Sequence, residues 1–169
     1  MSTHPDGAER PRWWKGARGE WFVVAQLAAI GLVWLGPSGG ADRPAWLPGF
    51  LQTGSVAGIA LMVVGAAIFV AGFVGLGSGL TALPRPKDGA ELVEIGAFGL
   101  VRHPIYSGVL SAALGWALYA GGWLTLVYVA VLLVVLDVKA RREERWLAEK
   151  FPAYAAYQRR VRRLVPFIY

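Results

Sequence analysis

The sequence predicts an all-α, polytopic membrane helix bundle of about four membrane segments, two of them a helical hairpin, followed by a cytoplasmic C-terminal helical extension. Three observations point there. Hydrophobic residues make up 56% of the 169 residues, and the mean hydropathy is +0.46. Charged residues are only 17%, against about 25% in ordinary soluble proteins. The charges are also lopsided, with 17 Lys and Arg against 11 Asp and Glu, a net charge of +6 and a pI near 10.0. Nucleic-acid binding is disfavoured, because the basic residues sit at the edges of long apolar runs rather than across a polar surface; that pattern suits a lipid bilayer.

The elements follow in order along one domain covering residues 1–169. Residues 1–19 are a polar tail with Arg10, Arg12, Lys15 and Arg18. The first apolar run, Trp21 to Leu35, is interrupted only by Gln26 and glycine. A basic start before an apolar stretch also resembles a signal peptide, but further runs follow, so it reads as an uncleaved first span. The second run, from about Gly54 to Leu76, carries no charge and exceeds the ~20 residues that a ~30 Å hydrocarbon core requires. A third covers Ile105 to Ala120 and a fourth Trp123 to Leu136, separated by Gly121-Gly122. A two-glycine turn between apolar helices predicts an antiparallel hairpin. About 16 residues give ~24 Å, so length alone leaves a full crossing open. Asp137 and Lys139 mark the exit of the fourth run into water, and the glycine and alanine of the spans suit close helix approach.

Counting basic residues sets the orientation. Sixteen Lys and Arg fall in the tail, the loop between the second and third runs (Arg85, Lys87, Arg102) and the C-terminal segment; Arg43 alone falls on the opposite side. Both termini are therefore expected in the cytoplasm, with the protein multi-pass in the inner (plasma) membrane. The chain has no cysteine and two histidines, His4 and His103, far apart. Disulfides, thiolate chemistry and a Cys- or His-rich metal centre are excluded, and no metal is expected. Gly75-Leu76-Gly77-Ser78-Gly79 lacks the preceding strand and following acidic residue of a dinucleotide fingerprint.

The dense polar information lies on the cytoplasmic side. The loop 78–104 is long and contains Leu92, Val93, Ile95, Phe98 and Leu100, so it should pack against something. Pro104 fits the first turn of the third helix and leaves His103 near its N-cap. Arg102 and His103 either serve structure, as a snorkelling cation and a cap, or join free helix N–H groups to bind a carboxylate or phosphate. In the C-terminal segment, 138–169, the stretch Lys139 to Leu147 continues the fourth helix. Asp137, Arg141 and Glu144 share one stripe, while Lys139, Glu143, Trp146 and Lys150 share a neighbouring one. Glu143 and Glu144 diverge by about 100° and cannot grip one atom together, so their roles should differ; Glu144 is the expected ligand-facing member. A solvated charged face is the alternative. Beyond Pro152 a second basic helix with Tyr154, Tyr157, Arg159, Arg160, Arg162 and Arg163 suits an anionic lipid surface, and its apolar tip, Leu164 to Tyr169, is expected to tuck back against the spans.

The pattern Leu92-Val93-x-x-Gly96-x-Phe98-x-x-Val101-Arg102-His103-Pro104-x-Tyr106-x-Gly108 resembles the isoprenylcysteine carboxyl methyltransferases and their bacterial relatives, including phospholipid methyltransferases. Further along, Glu143-Glu144, Leu147, Phe151, Tyr154, Tyr157, Arg160, Val161 and Pro166 resemble that family's ending. The resemblance implies S-adenosylmethionine enclosed at the cytoplasmic surface, with His103, Tyr106, Glu143 and Glu144, and the adjoining Leu100, Val101 and Arg102, in the cofactor site. It places Arg160 towards the substrate as the catalytic-side residue. Ala90-Glu91 stands where eukaryotic members have a histidine, and Phe98 where the usual residue is tyrosine; both bear on a prenylcysteine substrate rather than on the cofactor. The implied activity is methyl transfer to a lipophilic or amphiphilic carboxylate, thiol or amine. A membrane reductase like the related sterol reductases, or a non-catalytic membrane binding or scaffold protein, are the alternatives.

Overall fold

In the computed structural model of the protein, residues 19–38, 47–77 and 92–169 are described, with 47–55 as backbone. The basic tail with His4, the loop with Arg43, and the stretch 78–91 with Arg85 and Lys87 lie outside the described residues. Six helices form among the described residues: α1 (Glu20–Leu35), α2 (Leu47–Leu76), α3 (Ala97–Leu100), α4 (Pro104–Ala120), α5 (Trp123–Lys150) and α6 (Tyr154–Arg160). No strand forms among them, and Val101 and Arg162 share a single parallel bridge.

Each apolar run is the interior of a helix. α2 begins at Leu47, ahead of the run that starts at about Gly54, because a helix can open on polar and proline-bearing residues that hydropathy leaves out. Val56–Leu76 of α2 and the whole of α5 are long and apolar enough to cross a membrane; α1 and α4 are shorter, at 16 and 17 residues. α4 and α5 make the expected hairpin. Gly121 ends α4 at φ +66, with its N–H donating to Ala117 O at 3.1 Å. A side chain at that left-handed position would cost about 1–2 kcal/mol.

The closest packing joins α2 to α4, and glycine permits it. Gly58, Gly65 and Gly72 lie along one side of α2, facing Gly115, Gly108 and Pro104 in turn, so the two helices run antiparallel. A Cβ at Gly108 would lie 2.6 Å from both Gly65 O and Phe69 N, and one at Gly115 would lie 2.5 Å from Gly58 O. Backbone meets backbone, as small residues allow between apolar helices. α1 closes the other side: Ala29 and Val33 bury against Ala113 of α4 and Leu132 and Leu136 of α5. Away from these contacts, Val56, Val63, Val70 and Val74 of α2 are exposed.

The C-terminal part forms a second, smaller core of Tyr154, Tyr157 and Val161, with Leu92, Leu147 and Phe151 against it. The Tyr157 hydroxyl donates to Phe98 O at 2.6 Å; of the loop's apolar residues Leu92 and Phe98 are packed, whereas Ile95 and Leu100 are exposed. α6 is shorter than the expected basic helix and stops at Arg160. The chain then returns beside the start of α4, with Arg102 N–H donating to Arg162 O at 2.8 Å and His103 N–H to Arg163 O at 3.1 Å. Those inter-segment bonds take the carbonyls that a continuing helix would use. The apolar tip tucks back through its two ends: Leu164 is buried and its carbonyl accepts from Ser107 Oγ of α4 at 2.6 Å, and the Tyr169 hydroxyl donates to Asp137 Oδ1 at 2.9 Å, while Phe167 and Ile168 point outward.

Candidate functional site

Pro104 opens α4, where its missing N–H costs nothing. His103 before it holds the N-cap position, yet its side chain makes no capping bond. The imidazole faces α5 instead: Nε2 lies 3.3 Å from Glu144 Oε1 and Nδ1 lies 3.6 Å from Glu143 Oε2. The Tyr106 ring stacks parallel to it, with centroids 5.3 Å apart and planes within 2°. The Tyr106 hydroxyl donates to Glu143 Oε2 at 2.9 Å. The two halves of the sequence pattern therefore meet in one buried group.

The paired glutamates occupy different surroundings, as their divergence on a helix requires. Glu144 is the hub of an internal ion-pair network. Arg102 reaches Oε1 through Nε at 2.9 Å and Nη2 at 2.8 Å; Arg163 reaches Oε1 through Nε at 3.1 Å and Oε2 through Nη2 at 3.0 Å; Gln158 donates to Oε2 at 3.4 Å. Arg102 also donates to Gln158 O at 3.2 Å and to Val161 O, so it clamps α4, α5 and the returning segment together rather than snorkelling to a surface. Both glutamates lie beyond the apolar run of α5, which ends at Leu136. Burial would raise the Glu144 carboxyl, but hydrogen bonds from His103 and Arg163 and the charges of His103 and Arg102 outweigh it and hold it at about 2. Glu143 is moved the other way: burial raises it, against the lowering effects of His103, the Tyr106 hydroxyl and Lys139.

Lys139 corrects the sequence expectation of an exit into water. It is 3% exposed, with Nζ 2.6 Å from Gln26 Oε1 of α1 and 5.0 Å above the Tyr106 ring. The signal was present in the helical stripe that puts Lys139 one turn before Glu143. Gln26, the one polar interruption of the first run, is its partner.

Of the other expected site residues, Val101 is buried beside the bridge to Arg162, and Leu100 is exposed. Arg160 is not brought into the group: its side chain is 65% exposed and pairs with Glu94. Three residues that the sequence reading did not single out for this site belong to it. Arg163 joins Glu144 to Asp137, which it reaches at 3.1 Å. Tyr169 receives a hydrogen bond from Arg141 at 2.6 Å. Tyr154 is buried, and its hydroxyl has no hydrogen-bond partner among the described residues. Its pKa is raised, first by burial and then by the Glu144 charge, which marks it as a neighbour of the glutamates. Beside the network an open cleft of about 360 Å³ is lined by Arg141, Glu144, Arg145, Ala148, Gln158 and Arg163. Among the described residues, no group of three or more His, Asp or Glu could hold a metal ion.

The described residues thus form an all-helical bundle with two helices long and apolar enough to cross a membrane and a His–Tyr–Glu group between α4 and α5, and comparison with known families places the chain. The profile of the phospholipid methyltransferase family matches residues 53–154, more than half of the chain, and the protein belongs to that family. Two curated proteins are similar. The Delta(14)-sterol reductase of Mus musculus is 35% identical over 96 residues, which is 54% of this chain and 23% of the reductase. The cobalt-zinc-cadmium resistance protein CzcN of Cupriavidus metallidurans is 27% identical over 154 residues, 88% of this chain and 62% of that protein. The matches thus span less than two thirds of either relative's length.

Proposed function

We propose that the protein is an integral-membrane methyltransferase that binds S-adenosylmethionine at the cytoplasmic face of the inner membrane and methylates a lipophilic or amphiphilic acceptor. The observation that carries this reading is the meeting of His103, Tyr106 and Glu143 in one group where the apolar part of α5 ends. The donor set suits the cofactor, which brings a carboxylate, an ammonium, a ribose diol and a sulfonium. Glu144 is taken up by Arg102, Arg163, His103 and Gln158, whereas Glu143 receives a hydrogen bond only from Tyr106 among the described residues. Glu143 is therefore assigned the ligand-facing role that the stripe pattern suggested for Glu144, with the ammonium or ribose hydroxyls as its partners. The His103 imidazole is a ring N–H donor suited to the carboxylate, while Arg102, committed to Glu144 and to the Gln158 and Val161 carbonyls, holds the site in place. The Tyr154 hydroxyl, buried and without a hydrogen-bond partner among the described residues, is a second polar group that a ligand reaching the glutamates would satisfy.

Bound there, the cofactor supplies an electrophilic methyl group on a sulfonium. The protein's part is alignment, since methyl transfer is an in-line displacement at carbon. A carboxylate or thiolate acceptor needs no base, whereas an amine or thiol must lose a proton before transfer. Arg160, paired with Glu94 on the outer side, is the cation assigned to the acceptor end. The bundle crosses the bilayer four times, with α1 and α4 as its shorter members. A reporter fused after Tyr169 should be active only in the cytoplasm; activity only on the outer side would overturn this topology.

The match to a sterol reductase favours one competing reading, in which the same surface binds a nicotinamide cofactor. Calorimetric titration of S-adenosylhomocysteine and, separately, of NADPH into the detergent-solubilised protein decides between them. Binding of S-adenosylhomocysteine alone is expected, weakened in His103→Ala by ~1–3 kcal/mol, the usual cost of losing a hydrogen bond to a charged group. Binding of NADPH alone would support the reductase, and binding of neither a non-catalytic role.

Tyr154→Phe separates ligand binding from structure. Removing a buried hydroxyl that has no partner among the described residues should leave thermal stability unchanged or raise it, by up to ~1 kcal/mol, since an unsatisfied polar group costs more buried than absent. The same change should weaken S-adenosylhomocysteine binding several-fold. A loss of stability with unchanged affinity would instead mark the hydroxyl as structural.

A further inference from the structure

We propose that the cleft between α5 and the returning C-terminal segment binds the phosphate of an anionic membrane phospholipid, as a site separate from the methyl-transfer group. Its lining carries three arginines, Arg141, Arg145 and Arg163. With Arg102 behind Glu144, four guanidinium groups stand against two carboxylates, Asp137 and Glu144, so the surroundings keep an excess of positive charge.

The donors are not all in use. Arg163 is turned inward onto Glu144 and Asp137. Arg141 places Nε on Asp137 at 2.7 Å and Nη2 on the Tyr169 hydroxyl at 2.6 Å, which leaves its Nη1 without a partner among the described residues. Arg145 lines the cleft and makes no hydrogen bond or ion pair among the described residues. The inner ion pairs thus hold the floor rigid while Arg141 and Arg145 present a two-armed cationic face, the arrangement that suits a phosphate.

The location selects a lipid as the source of that phosphate, and this part of the inference rests on the membrane reading above. With the apolar run of α5 ending at Leu136, Arg141 lies roughly 8 Å further along the helix axis, at the depth of the headgroup layer that flanks a ~30 Å core. The same C-terminal segment whose Tyr169 hydroxyl meets Arg141 and Arg163 carries two exposed large apolar side chains: Phe167 is 87% exposed and Ile168 77% exposed. Their outward position is built in. Tyr169 N–H donates to Val165 O at 3.0 Å and Leu164 N–H to Tyr169 O at 2.7 Å, closing a loop in which Phe167 adopts φ +65, a conformation that residues with a side chain rarely take. A cationic cleft together with exposed aromatic and aliphatic groups on the adjoining C-terminal loop suits the two ends of a phospholipid, the phosphate on the arginines and the acyl chain on the apolar groups.

The test is native mass spectrometry of the purified protein titrated with phosphatidylglycerol and, separately, with phosphatidylcholine. Wild type should bind phosphatidylglycerol more tightly. Arg145→Gln should weaken that binding by about tenfold, the factor expected for losing a charge-assisted hydrogen bond. Phosphatidylcholine binding, weaker from the start because choline offsets its phosphate charge, should fall less, and S-adenosylhomocysteine affinity should not change, so failure of the cofactor reading and failure of this one are told apart. Arg159→Gln, on the exposed face of α6, is the control and should retain the preference. Equal binding of the two lipids, an equal loss in Arg159→Gln, full competition by glycerol phosphate at matched concentration, or loss of S-adenosylhomocysteine binding in Arg145→Gln would each overturn the proposal.

Discussion

Gly108→Leu is expected to abolish recovery of folded protein, and Gly108→Ala to lower stability by about 3 kcal/mol. Even the single methyl group of alanine would sit 2.6 Å from Gly65 O and Phe69 N, both backbone atoms of the facing helix, with Phe69 Cβ at 2.8 Å. No rotamer change relieves such a contact. α2 and α4 must separate along their length, which carries Pro104, His103 and Tyr106 away from their positions against α5. Gly31→Ala is the matching control, because nothing lies within 4 Å of a Cβ there. It should be neutral or gain up to about 1 kcal/mol from helix propensity. Thermal unfolding followed by tryptophan fluorescence in detergent, with size-exclusion yield, checks both; an unperturbed Gly108→Ala would mean that the α2–α4 contact is looser than described.

The second large effect divides the adjacent glutamates. Glu144→Gln should cost about 3–5 kcal/mol of stability, because Arg102 and Arg163 would keep buried charges that have lost their carboxylate. Glu143→Gln should change stability by ~1 kcal/mol or less, since its neighbours are a tyrosine hydroxyl, a histidine and a lysine that Gln26 also holds. Its S-adenosylhomocysteine affinity should nevertheless fall by about tenfold. Unfolding scans and calorimetry on the two variants read both quantities. Equal and small effects from both would mean that the pair is a solvated charged face.

Much of the architecture was legible because apolar runs and glycine turns are local signals. The hairpin at Gly121-Gly122, the continuation of α5 into charged sequence and the packing of the loop around Phe98 all follow from composition and period. The glycines of α2 and α4 were legible as close-packing residues, but their pairing, Gly65 against Gly108, depends on register between helices far apart in sequence. The same limit hid the ion-pair hub. A helical stripe aligns Glu144 with Asp137 and Arg141, yet nothing local says that Arg102 and Arg163 arrive from both sides to neutralise it. Lys139 was misread for a related reason. A lysine at the end of an apolar run ordinarily reaches water, and only the neighbouring α1, with Gln26 at the right height, encloses it. α6 was expected to be longer because helix propensity in Arg159–Arg163 carries no sign of the backbone pairing with Arg102 and His103 that ends it.

The most direct measurement is ultraviolet cross-linking of S-adenosylmethionine to the purified protein, with the adducts mapped by mass spectrometry and competed by S-adenosylhomocysteine. Adducts are expected on the peptides that contain His103 and Tyr106, Glu143, and Tyr154, and they should disappear with excess S-adenosylhomocysteine. Adducts confined to α1, α2 or the segment around Leu100 and Arg160, or adducts that resist competition, would contradict a cofactor site where the start of α4 meets the charged half of α5.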